Sequence, residues 1–328
     1  MEDLCNIVQN DALQSVTVND GVELTYQVFG QPIATAPVVL VNHALTGNSK
    51  VAGEKGWWKS LIGENEVIDT EKFTIICFNI PGNGFDGIQE NLIENYKEYT
   101  TKDIAILFWE GLKQIGVEEL FAVIGGSLGG GIAWEMGFLK PKAIQHIIPI
   151  ATNYKATDWL IGNVLVQDQI LNNSRQPIHD ARLHAMLLYR TPQSLQVKFN
   201  TEKNDEVFQV ESWLLHHGTQ LENRFSLAAY KLMNHLLKTI GEAISEENLI
   251  EFAKETTAEI HQIAITTDYF FTPDENRKTH QKLKEINTKI KYSEIDSIHG
   301  HDAFLIEYEQ LNTLLKPIFK NTTQTIEV

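Results

Sequence analysis

Five short stretches of this chain are apolar at nearly every position. They are PVVLVNH (37–43), FTIICFN (73–79), LFAVIGG (120–126), IQHIIPIA (144–151) and HQIAITT (261–267), with KYSEIDSI (291–298) as a weaker sixth. A strand with one wet face alternates apolar and polar residues. A strand apolar throughout is covered on both faces, as in a parallel sheet between layers of helix. Helical spacing fills the gaps, as in TKDIAILFWEGLKQIG (101–116) and GGGIAWEMGFL (129–139). Strand and helix in alternation predict an α/β fold with an open, mostly parallel central sheet and helices on both faces. Ahead of it, QSVTVNDGVELTYQV (14–28) alternates around Asn19-Asp20-Gly21 and predicts an antiparallel hairpin.

The alternation stops between about 153 and 258, where the pattern is helical: DARLHAMLLYR (180–190), ESWLLHHG (211–218) and FSLAAYKLMNHLLKTIGEAI (225–244). Strands then resume. Residues 1–152 and 259–328 are therefore expected to form the core. Residues 153–258 are expected to form a helical lid, inserted before the last two strands and lying over the strand ends.

The net charge of −16 argues against a nucleic-acid or anionic-membrane surface, because phosphate binding needs clustered Lys and Arg. An anionic substrate would need a local cation. No run approaches 18 apolar residues, so no transmembrane helix is expected. The first residues, MEDLCNIVQND, are acidic and polar and do not read as a secretory signal. Two cysteines, Cys5 and Cys77, make no disulfide framework. A cytoplasmic location follows as the expectation, with the sequons at Asn172 and Asn321 as chance matches.

Gly125-Gly126-Ser127-Leu128-Gly129 matches G-x-S-x-G. The pentapeptide alone is weak, but here it follows a strand-like run and opens a helix-like one, which is the arrangement that exposes a nucleophilic serine at a sharp bend. Gly125 to Gly130 also loosely meets a dinucleotide-binding turn, but that unit would normally begin its sheet rather than stand at the fifth strand. An activated serine needs a base and an orienting acid. Past the lid, IAITTDYFFTPDE (263–275) places Asp268 after a strand, with Asp274 and Asp296 as lesser alternatives. SIHGHDAFL (297–305) offers His301, favoured because DAFL is expected to start the last helix, with His299 as its competitor. Developing negative charge needs backbone N–H donors. Leu128, just after the serine, is one. Leu45, in the NHALTGNSK loop (42–50), is the expected other, with His43 read as a buried structural residue. The H-x-H at 299–301 lacks partner ligands at helix spacing, and His216-His217 read as ordinary lid residues, so no metal is expected.

Together HALTG (43–47), GWW (56–58), IDTEKFTIICFN (68–79), GGSLGG (125–130) and GHDAFL (300–305) resemble the homoserine O-acetyltransferases of the α/β-hydrolase superfamily, in order and spacing from about residue 15 to 315. The resemblance implies an α/β-hydrolase fold and a Ser127–Asp268–His301 triad. It also implies acetyl transfer from acetyl-CoA, a co-substrate rather than a bound cofactor, to L-homoserine by a ping-pong route in methionine biosynthesis. A homodimer formed through the lid is implied as well. In DARLHAMLLYRT, Arg182 and Tyr189 lie two helical turns apart and so share a face. By the resemblance that face meets the substrate. Arg182 would hold the homoserine carboxylate, and Asp302, helped by Tyr189, its ammonium. Asn48 stands where the family usually has Asp, NIPGNGFDG (79–87) is shorter than the family's loop, and the chain is somewhat short. A plain serine esterase, a succinyl donor and a serine acceptor are the alternatives.

Overall fold

The structure is a computed structural model and describes residues 12–320. Cys5, the first eleven residues and the sequon at Asn321 lie outside them. Eight strands form the central sheet: β1 (Gln14–Thr17), β2 (Glu23–Gly30), β3 (Val38–Asn42), β4 (Thr74–Phe78), β5 (Leu120–Gly126), β6 (Ile144–Ile150), β7 (Glu259–Ile265) and β8 (Ile290–Ile295). Their order is β1-β2-β4-β3-β5-β6-β7-β8. The expected hairpin pairs β1 with β2, Gln14 opposite Tyr26 and Thr17 opposite Glu23. β2 is antiparallel to β4, and every later pairing is parallel.

All residues of β3, β4 and β5 are buried, as their unbroken apolar runs require. Successive side chains leave the sheet on opposite faces. Val38 and Leu40 therefore join one apolar cluster, with α1 (Thr101–Gln114) and α2 (Leu128–Leu139), while Val39 and Val41 join another, with Phe73 and Phe319. Each such side chain contributes about 1.5–3 kcal/mol through its burial. α1 starts where Thr100 and Asp103 cap one another reciprocally, side chain to backbone.

Between β6 and β7 the chain forms α3 (Asp158–Asn173), α4 (Pro177–Tyr189), α5 (Pro192–Phe199), α6 (Gln209–Glu222), α7 (Leu227–Thr239) and α8 (Glu246–Glu255). Pro177 and Pro192 open their helices, where a missing N–H costs nothing. The apolar pattern over 225–244 suggested one helix, but α7 ends at Thr239. Gly241 turns the chain at φ 64°, and a Cβ there would lie 2.1 Å from the Tyr154 carbonyl oxygen. After that break α8 packs Phe252 against Phe138 of α2, rings tilted and centres 4.4 Å apart, so it lies with the core layer. The helices that remain for a lid are α3 to α7. After β8, GHDAFL forms a 3-10 turn, Gly300–Leu305, and the last helix, Tyr308–Lys320, starts later than expected. Phe304 is drawn inward against Gly126 and Trp58, which delays the helix. No helix among the described residues is long and apolar enough to cross a membrane.

Candidate active site

β5 runs straight into Ser127, which adopts φ 57° and ψ −122°. A non-glycine residue held in such a region costs roughly 1–3 kcal/mol, and the surrounding packing must enforce it. A Cβ at Gly125 would lie 2.4 Å from the carbonyl carbon of Gly129, and one at Gly129 would lie 2.1 Å from the Asn42 carbonyl oxygen. The motif's two flanking glycines are thus steric requirements of the bend. The Ser127 N–H donates to the Ile150 carbonyl at 2.9 Å, and its own carbonyl accepts from Gly131 at 3.0 Å.

Three loops from three strand ends converge on the serine hydroxyl. His301 Nε2 lies 2.8 Å from Ser127 Oγ, and His301 Nδ1 lies 2.7 Å from Asp268 Oδ2. The other carboxylate oxygen, Oδ1, accepts the N–H groups of Phe270 at 2.7 Å and Phe271 at 3.0 Å. All three side chains are buried. The imidazole is walled by Phe270, Phe271, Phe304 and Tyr189, with ring centres 5.2 to 5.7 Å away. A carboxylate that accepts a hydrogen bond from Nδ1–H leaves the Nε2 lone pair facing the serine, which is the tautomer a general base needs.

The competing residues are placed elsewhere. His299 Nδ1 lies 3.0 Å from Arg190 Nη2 and 2.9 Å from Ser194 Oγ. It fastens the loop carrying His301 to the start of α5. Asp274 pairs with Arg277 on the surface, and Asp296 accepts from Thr266. His43 is buried. Its Nδ1 donates to the Ala44 carbonyl at 2.8 Å, and its Nε2 accepts the Ile80 N–H at 3.0 Å. Burial lowers its pKa to about 4, only partly opposed by the Ala44 hydrogen bond. It is a neutral brace between the 42–50 and 79–87 loops. Asn48 accepts the Lys50 N–H through its side chain at 2.9 Å, a turn contact that an aspartate carboxylate would also make.

The first turn of α2 packs against the 42–45 loop through Gly129. Among the described residues the amides of Leu45 and Leu128 donate to nothing, leaving two N–H groups free. On α4, the Arg182 guanidinium lies 5.7 Å from the Tyr189 ring centre, and that ring lies 5.4 Å from the His301 ring. The spacing of seven residues therefore does bring both to the triad. Burial raises the Tyr189 phenol well above its usual range, with Tyr230, Asp302 and Asp268 adding to this and the Arg182 charge opposing it. Asp302 belongs to the same group. Burial raises its pKa, the positive charges of Arg182, His301 and Arg190 oppose that, and Asp268 adds to it. Neither Arg182 nor Asp302 makes a hydrogen bond or ion pair with any described residue.

Sequence reasoning missed Arg224 and Tyr230. Arg224, exposed by its surface area, donates through Nη1 to the Thr46 carbonyl at 3.1 Å, and partial desolvation and the charge of Arg182 lower its pKa. Tyr230 is buried beside the same charge, its pKa pushed up to about 12 by desolvation. A signal was available. The chain has five arginines, and four of them, Arg175, Arg182, Arg190 and Arg224, fall in the insertion.

A family model of the alpha/beta hydrolase fold matches residues 37–307. The homoserine O-acetyltransferase of Cyclobacterium marinum is 32% identical over 319 residues, covering 90% of this chain and 89% of that protein. The homoserine O-succinyltransferase of Nitrosomonas eutropha is 28% identical over 351 residues, covering 94% and 93%. Among solved structures, esterase E22 superposes with a TM-score of 0.79 at 15% identity, covering 94% of this chain and 98% of that one. A converging serine, histidine and aspartate on this sheet, together with similarity across nearly the whole length of an acyltransferase, place the chain in the homoserine O-acetyltransferase family of α/β-hydrolase-fold enzymes.

Proposed function

We propose that this chain carries an acetyl group from acetyl-CoA to the hydroxyl of L-homoserine, through an acyl-Ser127 intermediate, as a step of methionine biosynthesis. One observation carries the choice of acceptor. An unpaired arginine and an unpaired aspartate sit together beside the triad. Both charges are half-buried and lack a hydrogen-bonding partner among the described residues, and a ligand that supplies both missing partners accounts for such a pair. Homoserine does so, with its carboxylate on the Arg182 fork and its ammonium on Asp302, Tyr189 closing the wall between them.

The mechanism follows from the hydrogen-bonded chain. His301 Nε2 takes the Ser127 proton as Oγ attacks the thioester carbonyl. The oxyanion is met by the Leu45 and Leu128 amides; losing one such donor costs about 2.7–4 kcal/mol in a comparable hydrolase. The C–S bond breaks, His301 gives its proton to the departing thiolate, and CoA leaves. The homoserine hydroxyl then gives its proton to His301 and attacks the acyl-serine. Collapse breaks the bond to Ser127, which regains the proton, and O-acetylhomoserine departs. Proton and charge balance close with these groups, so acetyl-CoA acts as a co-substrate and no resident cofactor or metal is required.

A second reading takes succinyl-CoA as donor. Arg224 favours it, since a second guanidinium next to the 42–50 loop would suit a donor with a free carboxylate. Competition between the two thioesters for acylation of Ser127 decides. We also infer that the chain works in the cytoplasm and pairs as a homodimer through the lid. Trp159 and Leu165 of α3 are more than half exposed there, an apolar surface that a second copy would cover. Sedimentation of Leu165→Glu tests the pairing: a monomer is expected, and an unchanged mass would reject it.

A further inference from the structure

The end of the sheet opposite Ser127 carries a second group of chemically capable side chains. His146 is the third residue of β6, and Glu259 and His261 are the first and third of β7. The two strands are parallel neighbours with Glu259 opposite His146. Residues two apart in a strand share a face, so Glu259 and His261 line up beside His146. His146 Nδ1 lies 3.3 Å from His261 Nε2, and His261 Nε2 lies 3.5 Å from Glu259 Oε2. One donor atom from each of the three lies within 4.8 Å of both others.

We propose that His146, His261 and Glu259 form a binding site for a divalent transition-metal ion, zinc in the first instance. Two nitrogens bound to one tetrahedral zinc at about 2.0–2.1 Å stand about 3.3–3.4 Å apart, and a carboxylate oxygen falls at a similar separation. Two of the three donor separations are already close to that spacing, and the third is within 4.8 Å. Two imidazoles and one carboxylate are a common ligand set for this ion, with water left to complete the tetrahedron. Burial lowers the pKa of both histidines, so their lone pairs are available near neutral pH. Phe121 stands edge-on to His146, ring centres 4.9 Å apart, and limits its rotation.

Lys291 of β8 is the built-in competitor. It faces His261 across the sheet, and its Nζ lies 2.8 Å from Glu259 Oε2. Its side chain is 55% exposed and free to swing into solvent when a cation takes the carboxylate. β6 and β7 flank the whole lid insertion, so a bound ion would tie together the two strands on which the lid is hung. The role is structural: the ion adds stability by mass action and takes no part in chemistry at Ser127.

The test uses the full chain, freed of metal by a chelator and titrated with Co²⁺ and then Zn²⁺. One equivalent of Co²⁺ is expected, with the visible absorption of a tetrahedral ion, displaced by Zn²⁺, and Zn²⁺ should raise Tm. His261→Ala and His146→Ala should each abolish the absorption. Glu259→Gln should weaken binding, while Lys291→Gln, which removes the competitor, should tighten it. The acylation rate of Ser127 should not change in Lys291→Gln. Absence of a tetrahedral signal, or binding that survives His261→Ala and His146→Ala, overturns the proposal. So does unchanged affinity in Lys291→Gln. Each leaves a histidine–histidine hydrogen bond beside a surface ion pair.

Discussion

The triad and the charged pair beside it are close neighbours, yet they are built in opposite ways. In the triad every polar contact is made: Ser127 to His301, His301 to Asp268, and Asp268 to two backbone amides, all of it buried. Beside it, Arg182 and Asp302 have their charges near one another and no hydrogen-bonding partner among the described residues. A saturated network is rigid and ready to act on whatever acyl group reaches it. An unsaturated pair waits for a ligand of matching charge. On the proposed function, generic chemistry resides in the core loops, and selectivity resides where α4 meets them.

Substitutions separate the two halves. Ser127→Ala should bring the largest loss, roughly 10⁶-fold in turnover by analogy with nucleophile removal in a comparable hydrolase, and no acyl-enzyme should be seen by mass spectrometry. Asp268→Asn keeps the shape but favours the wrong tautomer, and should cost roughly 10⁴-fold. Unlike Ser127→Ala, it should still accumulate acyl-enzyme slowly. Arg182→Ala should leave acylation by acetyl-CoA intact and lower kcat/KM for homoserine by about 10²-fold, the scale of one charge-assisted hydrogen-bonded contact. Equal losses in both half-reactions would erase the proposed division.

The smallest effect concerns the brace beneath both halves. His43 has a folded pKa of about 4, below the ordinary 6.5. The unfolded chain therefore binds the extra proton more readily. The stability this group contributes is fully present above pH 6.5 and is lost as pH falls toward 4, by roughly 3 kcal/mol in all. Urea unfolding across that range should show a steeper decline in the wild type than in His43→Gln. Parallel curves would mean that His43 is not buried as a neutral ring.

Much of this division was legible in the residues. The triad could be read because each member sits where a strand stops, and strand ends are marked by the end of an apolar run. The sheet itself was legible for the same reason. Arg182 and Tyr189 could be placed on one face from helical spacing, although only the fold brings that face over His301. Choosing His301 over His299 was a different matter. The two are separated by one glycine, and only the Arg190–Ser194 contact identifies His299 as an anchor. Arg224 was invisible as a site residue because it lies between helices and reaches the 42–50 loop across 178 residues. The break at Gly241 was missed because apolar spacing continues through a glycine whose close approach to Tyr154 is a tertiary fact.

The most direct measurement is the release of free CoA thiol from acetyl-CoA, followed rapidly with and without L-homoserine. The proposed function predicts a burst of one equivalent per active site without homoserine, then near silence, and continuous turnover once homoserine is added, with L-serine a poor substitute. Steady release without any acceptor would contradict it, because water would then be the acyl acceptor and the Arg182–Asp302 pair would select nothing.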